Sequence, residues 1–115
     1  VRVGIGVEAS LLVFDFAFNQ QRLNKLLTYV YGSNLQAQAS TLALGFRQEG
    51  HLKNHFYLGE KAGFCDVFQN GMLQNEFREN ARLKRLSLKL LGRDVTKLAK
   101  AAARNEFNLE ASFRM

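Results

Sequence analysis

The 115-residue chain contains no proline and no tryptophan, and its one cysteine is Cys65. A single cysteine rules out a disulfide within the chain and argues against the framework of a small secreted domain. A reducing, cytoplasmic setting is the expectation. Without proline, turns fall to the nine glycines and to Asn. Histidine is scarce too, with only His51 and His55. Four residues apart on an expected strand, they would face the same side and offer two ligands, but no third is evident, so no metal site is expected. No apolar run reaches the roughly 18 residues of a membrane span. The opening Val1-Arg2-Val3-Gly4 lacks a charged region followed by an apolar core, so no signal peptide is expected.

What is present suits one small domain with a real core: 47% of residues are hydrophobic, ten of them Phe. The net charge of +6 is uneven. Residues 1–74 hold six Lys/Arg against five Asp/Glu, and residues 75–115 hold ten against five. The basic character therefore belongs to the C-terminal part. It is either a solvated helix face or a surface for nucleic acid, formed by Arg82, Lys84, Arg85, Lys89, Arg93, Lys97, Lys100 and Arg104.

Periodicity predicts the order of elements. After a glycine-bearing lead over residues 1–6, residues 7–20 read as a helix. Ala9, Leu12, Val13, Phe16 and Ala17 lie on one face, with Leu11, Phe14 and Phe18 on a second. A helix apolar nearly all round is expected to be buried, and Glu8 is placed in its first turn. Leu26 to Tyr31 reads as a buried strand, and Gly32-Ser33-Asn34 as a turn. A second helix runs from Leu35 to Leu44 and ends at Gly45. Residues 46–58 and 64–70 read as antiparallel strands joined by Gly59 to Gly63. In the first of them Leu52, Phe56 and Leu58 are expected on one side, with His51, Lys53, His55 and Tyr57 on the other. Leu83, Leu86 and Leu90 then mark a basic helix broken at Gly92. Asp94 is placed to cap another helix bearing Val95, Leu98, Ala99 and Ala102. Residues 105–115 carry no clear signal. The fold class is α+β, a mixed α/β arrangement of helix–strand–helix, antiparallel hairpin and basic helical tail.

Several local patterns can carry chemistry. Gly4-x-Gly6 before a helix is either a strand-to-helix turn or an anion cradle, because glycine lets backbone N–H groups approach a pyrophosphate at a helix start. Asn34 after Gly-Ser is a helix cap, a ligand contact, or both. Cys65 reads as a small core residue.

In order along the chain, Gly4-Ile5-Gly6, Asn34, Ala37, Gly45-Phe46-x-x-Glu49-Gly50, Asp66-Val67 and Glu76-Phe77 resemble the C-terminal half of the GNAT acetyltransferases. The resemblance spans residues 2 to about 79 and divides the chain into a GNAT-like part, 1–79, and a basic helical tail, 80–115. It implies acetyl-CoA as cosubstrate, held by Arg2, Val3, Gly4, Ile5, Gly6 and Val7 at its pyrophosphate and by Asn34 and the preceding strand along its pantetheine arm. It implies an amine acceptor. The stretch is similar to two branches, one acting on ribosomal-protein N-termini and one on a nucleotide-linked amino sugar.

The tyrosine that many members use to protonate the leaving thiolate falls on Thr41. Thr41, Asp66 and His55 are therefore the candidate reactive residues. The family's first strands would lie upstream of Val1, so the chain is expected to be a partial domain, with an open apolar strand edge and a half-covered helix. Oligomerisation, poor solubility or a folded-back tail is the expected consequence. The alternatives are a non-catalytic remnant or oligomerisation module, and a basic helical nucleic-acid binder.

Overall fold

A computed structural model describes residues 3–98 and 112–114. In chain order the elements are helix α1 (Val3–Phe14), a π-helical turn (Asp15–Gln20), β1 (Lys25–Tyr31), α2 (Leu35–Ala43), β2 (Arg47–Tyr57), β3 (Phe64–Leu73), α3 (Gln74–Arg78), α4 (Ala81–Leu91) and β4 (Ser112–Arg114). One sheet has the order β2-β3-β1-β4. β3 is antiparallel to both β1 and β2, and β4 is parallel to β1. The mixed α/β class and the antiparallel hairpin agree with the sequence reading.

Strand alternation sorts the sheet into two unlike faces. On one face Leu26, Thr28, Asn70 and Met72 are buried. Here Leu26 and Met72 join Leu11, Phe14, Ala17 and Phe18, together with Leu23, Phe46, Phe77, Leu83 and Val95, in a single core. Its centre is aromatic: the Phe18 ring stacks on Phe77 at 4.8 Å, and Phe14 meets Phe46 at 5.7 Å and Phe77 at 5.9 Å. Each such side chain stabilises the fold by roughly 1.5–3 kcal/mol relative to its exposed state. The other face, carrying Tyr29, Tyr31, Val67 and Gln69, is not covered by any described helix. β1 is thus half-buried by alternation, not buried throughout as expected: Tyr29 and Tyr31 are exposed.

α1 and the π-helical turn that continues it show the same asymmetry. Leu11 and Phe14 are fully buried, whereas Leu12, Val13 and Phe16 remain 47%, 37% and 43% exposed. The all-round apolar helix is therefore covered on one side only. It also starts four residues earlier than expected, taking Gly4 and Gly6 into its first turns and leaving Glu8 in its second.

The helix ends follow the sequence closely. The Asn34 side chain accepts the Ala37 N–H at the start of α2, and Asn80 accepts the Leu83 N–H at the start of α4. Gly45, at φ +107°, turns the chain out of α2 into β2, and Gly92, at φ +74°, ends α4. Within the described residues Asp94 does not start a helix. Its carboxylate accepts the Thr96 N–H and hydroxyl, closing a tight turn that buries Val95. Ala99 and Ala102 lie outside the described residues. Residues 112–114 form a strand where the sequence carried no signal.

Two polar networks fasten the layers. Asn70 and Gln38 exchange amide hydrogen bonds of 2.7 and 2.9 Å, and Asn70 also donates to the Thr28 hydroxyl, tying α2 to the sheet. At the π-helical turn, Asp15 accepts from Asn19 at 2.6 Å and from Arg93 at 2.7 Å. Asn19 also donates to the Val95 carbonyl, and Arg78 donates to the carbonyls of Phe18 and Thr96. This clasp holds residues 93–96 against the core. Burial would raise the Asp15 pKa, but the bonds from Arg93 and Asn19 and the charges of Arg93 and Arg78 outweigh it and hold it below its ordinary value.

Candidate functional site

The flank of the first two turns of α1 borders a cavity of about 400 Å³ lined by Gly6, Val7, Ser10, Ser40, Ala43, Leu44 and Arg82. The first turn of any helix leaves four N–H groups without helical partners, with the positive end of the dipole behind them. Gly6 adds no side chain, and a Cβ there would meet nothing within 4 Å. Arg82, from α4, donates to the Ala43 carbonyl and places a guanidinium at the rim. Open space and a fixed cation, one turn from the positive end of the α1 dipole, suit a phosphate-bearing group. Of the residues expected here, the backbone of Val3 to Val7 is helical, and Arg2 lies outside the described residues.

β1 leads directly into Asn34. The Gly32 N–H donates to the Asp66 carbonyl at 2.7 Å and the Asn34 N–H to the Tyr31 carbonyl at 2.9 Å, so the end of β1 and the start of α2 are rigidly joined. In the second turn of α2, the Thr41 hydroxyl donates to the Ala37 carbonyl at 2.8 Å. Its proton is engaged within the helix.

On the uncovered sheet face a groove of about 610 Å³ is lined by Tyr29, Tyr31, Leu52, His55, Phe56, Val67 and Gln69. The Tyr31 and Phe56 rings lie 5.6 Å apart. His55 reaches this groove because the β2–β3 pairing shifts between Leu52 and Phe56, with Asn54 at φ +46°. Such a bulge re-aims side chains. It also overturns the expectation that both histidines share a face. His51 points to the opposite face, where its Nε2 lies 2.8 Å from Asp66 Oδ2 and its ring packs 4.9 Å from Phe68.

Both Asp66 oxygens are engaged. Oδ1 accepts the Asn54 N–H at 2.8 Å. That backbone bond, followed by the His51 bond, holds the Asp66 carboxyl below its ordinary value. Asp66 therefore stays ionised and fixes His51 and the bulge. Cys65 is half-buried, and its thiol contacts the Asp66 carbonyl at 3.2 Å.

The structure thus brings His51 and Asp66 together, and His55 with Tyr29 and Tyr31. His55 and Asp66 stand on opposite faces, and Thr41 belongs to the helical layer. Among the described residues no three His, Cys, Asp or Glu side chains cluster as a metal site, and no helix is long and apolar enough to cross a membrane. Sequence reasoning missed Tyr29, Tyr31 and Arg82 as site residues. The Tyr-x-Tyr alternation in β1 was the available signal for the first two, since residues two apart share a strand face.

No family model matches the sequence, and no curated protein matches it by sequence. Solved structures do match. The dodecameric spermidine N-acetyltransferase of Vibrio cholerae in an intermediate state superposes with TM-score 0.63 at 24% identity, over 69% of this chain and 45% of that one. A spermidine/spermine N-acetyltransferase from the same organism, solved with manganese ions, gives TM-score 0.62 at 25% identity, over 68% and 46%. A point mutant of the Vibrio cholerae spermidine enzyme gives 0.59 at 28%, over 64% and 41%. The chain spans less than half the length of these structures, and what it shares with them is a partial GNAT fold.

Proposed function

We propose that the chain serves in the transfer of an acetyl group from acetyl-CoA to a primary amine. The observation that carries this reading is the aromatic groove holding His55 at the end of β1, which leads into Asn34. The likeness to N-acetyltransferase structures supports it. Backbone and glycine positions of residues 3–7 at the α1 start and the Arg82 guanidinium would hold the phosphates, and Asn34 with the end of β1 the pantetheine arm. When bound, acetyl-CoA supplies an acetyl group activated as a thioester.

The groove residues handle the amine. Tyr29, Tyr31 and Phe56 enclose it, and their ring faces attract its cationic form during entry. An ammonium cannot attack, so a base must take a proton, and the His55 imidazole is the group in the groove suited to that. Thr41 enters only if its hydroxyl leaves the Ala37 carbonyl, and Asp66 acts by holding His51. The acceptor is a protein N-terminus or an amino sugar, the two classes the sequence resembles; a polyamine is the third arm of the test, since spermidine enzymes share the fold. Residues 1–79 form the cofactor-binding part, and the basic segment from residue 80 contributes Arg82.

Calorimetric titration with acetyl-CoA, followed by acetylation assays on a peptide N-terminus, an amino sugar and spermidine, tests the proposal. His55→Ala should lower kcat by roughly 10²-fold or more, the usual loss for a general base, with acetyl-CoA affinity unchanged. Absence of heat with acetyl-CoA would overturn the reading. A chain that binds acetyl-CoA but acetylates none of the three amines would instead be a binding module working with a second chain. The uncovered sheet face favours that second reading.

A further inference from the structure

We infer that Asp66 is a positioning residue for the acetyl transfer: its carboxylate aims His55 into the groove, and its carbonyl ties that arrangement to the turn carrying Asn34. The role rests on the acetyltransferase reading above; the contacts behind it are independent of that reading.

The β2–β3 ladder sets Leu52 opposite Val67 and Phe56 opposite Cys65, so Lys53, Asn54 and His55 stand against Asp66 alone. Where residues are surplus to a ladder, regular alternation no longer decides where their side chains go. Asn54, at the centre, has φ +46°, a left-handed conformation uncommon outside glycine though tolerated by asparagine. What fastens it is Asp66 Oδ1, which accepts the Asn54 N–H at 2.8 Å. Oδ2 lies 2.8 Å from His51 Nε2, so the carboxylate cannot turn away without losing both partners. His55 follows Asn54 directly and lines the groove with Tyr31 and Phe56. The face it takes follows from the Asn54 backbone, and that backbone from Asp66.

Asp66 is also anchored on its other side. Its carbonyl accepts the Gly32 N–H at 2.7 Å. A Cβ on Gly32 would lie 2.9 Å from Asp66 Cβ and 3.1 Å from the Asp66 carbonyl oxygen, so this close approach of two strands leaves no room for a side chain. Two residues after Gly32, Asn34 caps α2. Asp66 therefore stands between the turn assigned to the pantetheine arm and the base assigned to the amine, and it fixes one relative to the other. Group transfer is sensitive to such placement: a displacement of about 1 Å can cost roughly 10²-fold in rate.

Three variants test this. Asp66→Ala removes the acceptor, Asp66→Asn keeps a carbonyl for the Asn54 N–H, and Gly32→Ala presses on Asp66 from the neighbouring strand. In Asp66→Ala the Asn54 amide should exchange about tenfold faster, the protection expected of one bond to a charged group. The His55 ring resonances in the NMR spectrum, assigned by their loss in His55→Ala, should shift as the imidazole leaves the aromatic rings, and Gly32→Ala should move the same resonances. In Asp66→Ala kcat should fall about tenfold or more with acetyl-CoA affinity by calorimetry unchanged, and Asp66→Asn should recover most of that loss. His55 resonances that stay in place in Asp66→Ala would overturn the inference, and so would shifted resonances with an undiminished kcat. An Asp66→Asn chain as impaired as Asp66→Ala would assign the effect to charge instead of the Asn54 bond and would also overturn it. If the unaltered chain acetylates no amine, the acetyltransferase reading fails, and the positioning role with it. The ring resonances distinguish that case, because they report without ligand whether Asp66 places His55.

Discussion

At the residue scale the most informative group is Asp15. It is buried, yet it stays charged because Arg93 and Asn19 bond it directly. Its pKa lies below the ordinary 3.8 in the folded chain. A carboxyl whose folded pKa is depressed stabilises the fold above its unfolded value, and that contribution disappears as pH falls through the folded one. Thermal melts should therefore show stability declining as the pH drops below about 4. Asp15→Asn should be less stable at pH 7 and lose less on acidification. An Asp15→Asn melt with the same acid slope as the parent would refute the assignment. Asp66 is shifted in the same direction, but it is a surface group whose interactions are screened by solvent.

Residues were also where sequence reading was least secure. Asn34, Gly45, Phe46 and Gly92 occupy the cap, turn, core and helix-end positions their chemistry implied, because capping and positive φ are local requirements. His55 did not follow its expected side. Alternation fixes a strand face only while the ladder stays in register, and the shift before Phe56 depends on β3.

At the scale of elements, Gly45 couples two helices. A Cβ there would lie 2.6 Å from Asn80 Nδ2, the residue that caps α4. Gly59 has a nearly identical φ, +109° against +107°, but nothing within 4 Å of its would-be Cβ. Each glycine-to-alanine change forces strain of about 1–3 kcal/mol. Gly45→Ala additionally displaces the α4 cap, a further loss of about 1 kcal/mol. Urea denaturation should thus rank Gly45→Ala below Gly59→Ala in midpoint, and equal midpoints would show that Asn80 adjusts without cost.

Element existence was mostly legible: α2, β1, the β2–β3 hairpin and α4 follow their periods and breakers to within one to three residues. The start of α1 was not, because Gly4 and Gly6 read as a loop by propensity, while the first turn of a helix tolerates glycine when the following turns are anchored in a core. β4 was not legible either. A three-residue strand exists only through its partner, so no local pattern announces it.

At the scale of the molecule, one sheet face and one side of α1 remain uncovered among the described residues. Tyr29, Tyr31 and Phe56 are exposed on that face, and Tyr57 and Phe64 are exposed on the other side of the hairpin, where Phe64 is 60% accessible. An apolar area of this kind promotes association. Light scattering should show the chain self-associating, with an apolar dye fluorescing strongly in its presence. Phe56→Lys combined with Leu12→Lys should reduce both signals. A monodisperse monomer without dye binding would count against the uncovered face as a sticky surface. The expected bare edge of β1 is changed in one respect: β4 occupies its base.

The sequence by itself determined the caps of α2 and α4, the turn glycines and the hairpin. These depend on local backbone sterics, on hydrogen bonding within a few residues and on hydrophobic period. Only the tertiary structure decided which strand face is covered, which histidine enters the groove, how Arg82 comes to stand beside the start of α1, and that the chain's end returns to β1. Each of those is a contact between residues far apart in sequence, set by ladder register and packing.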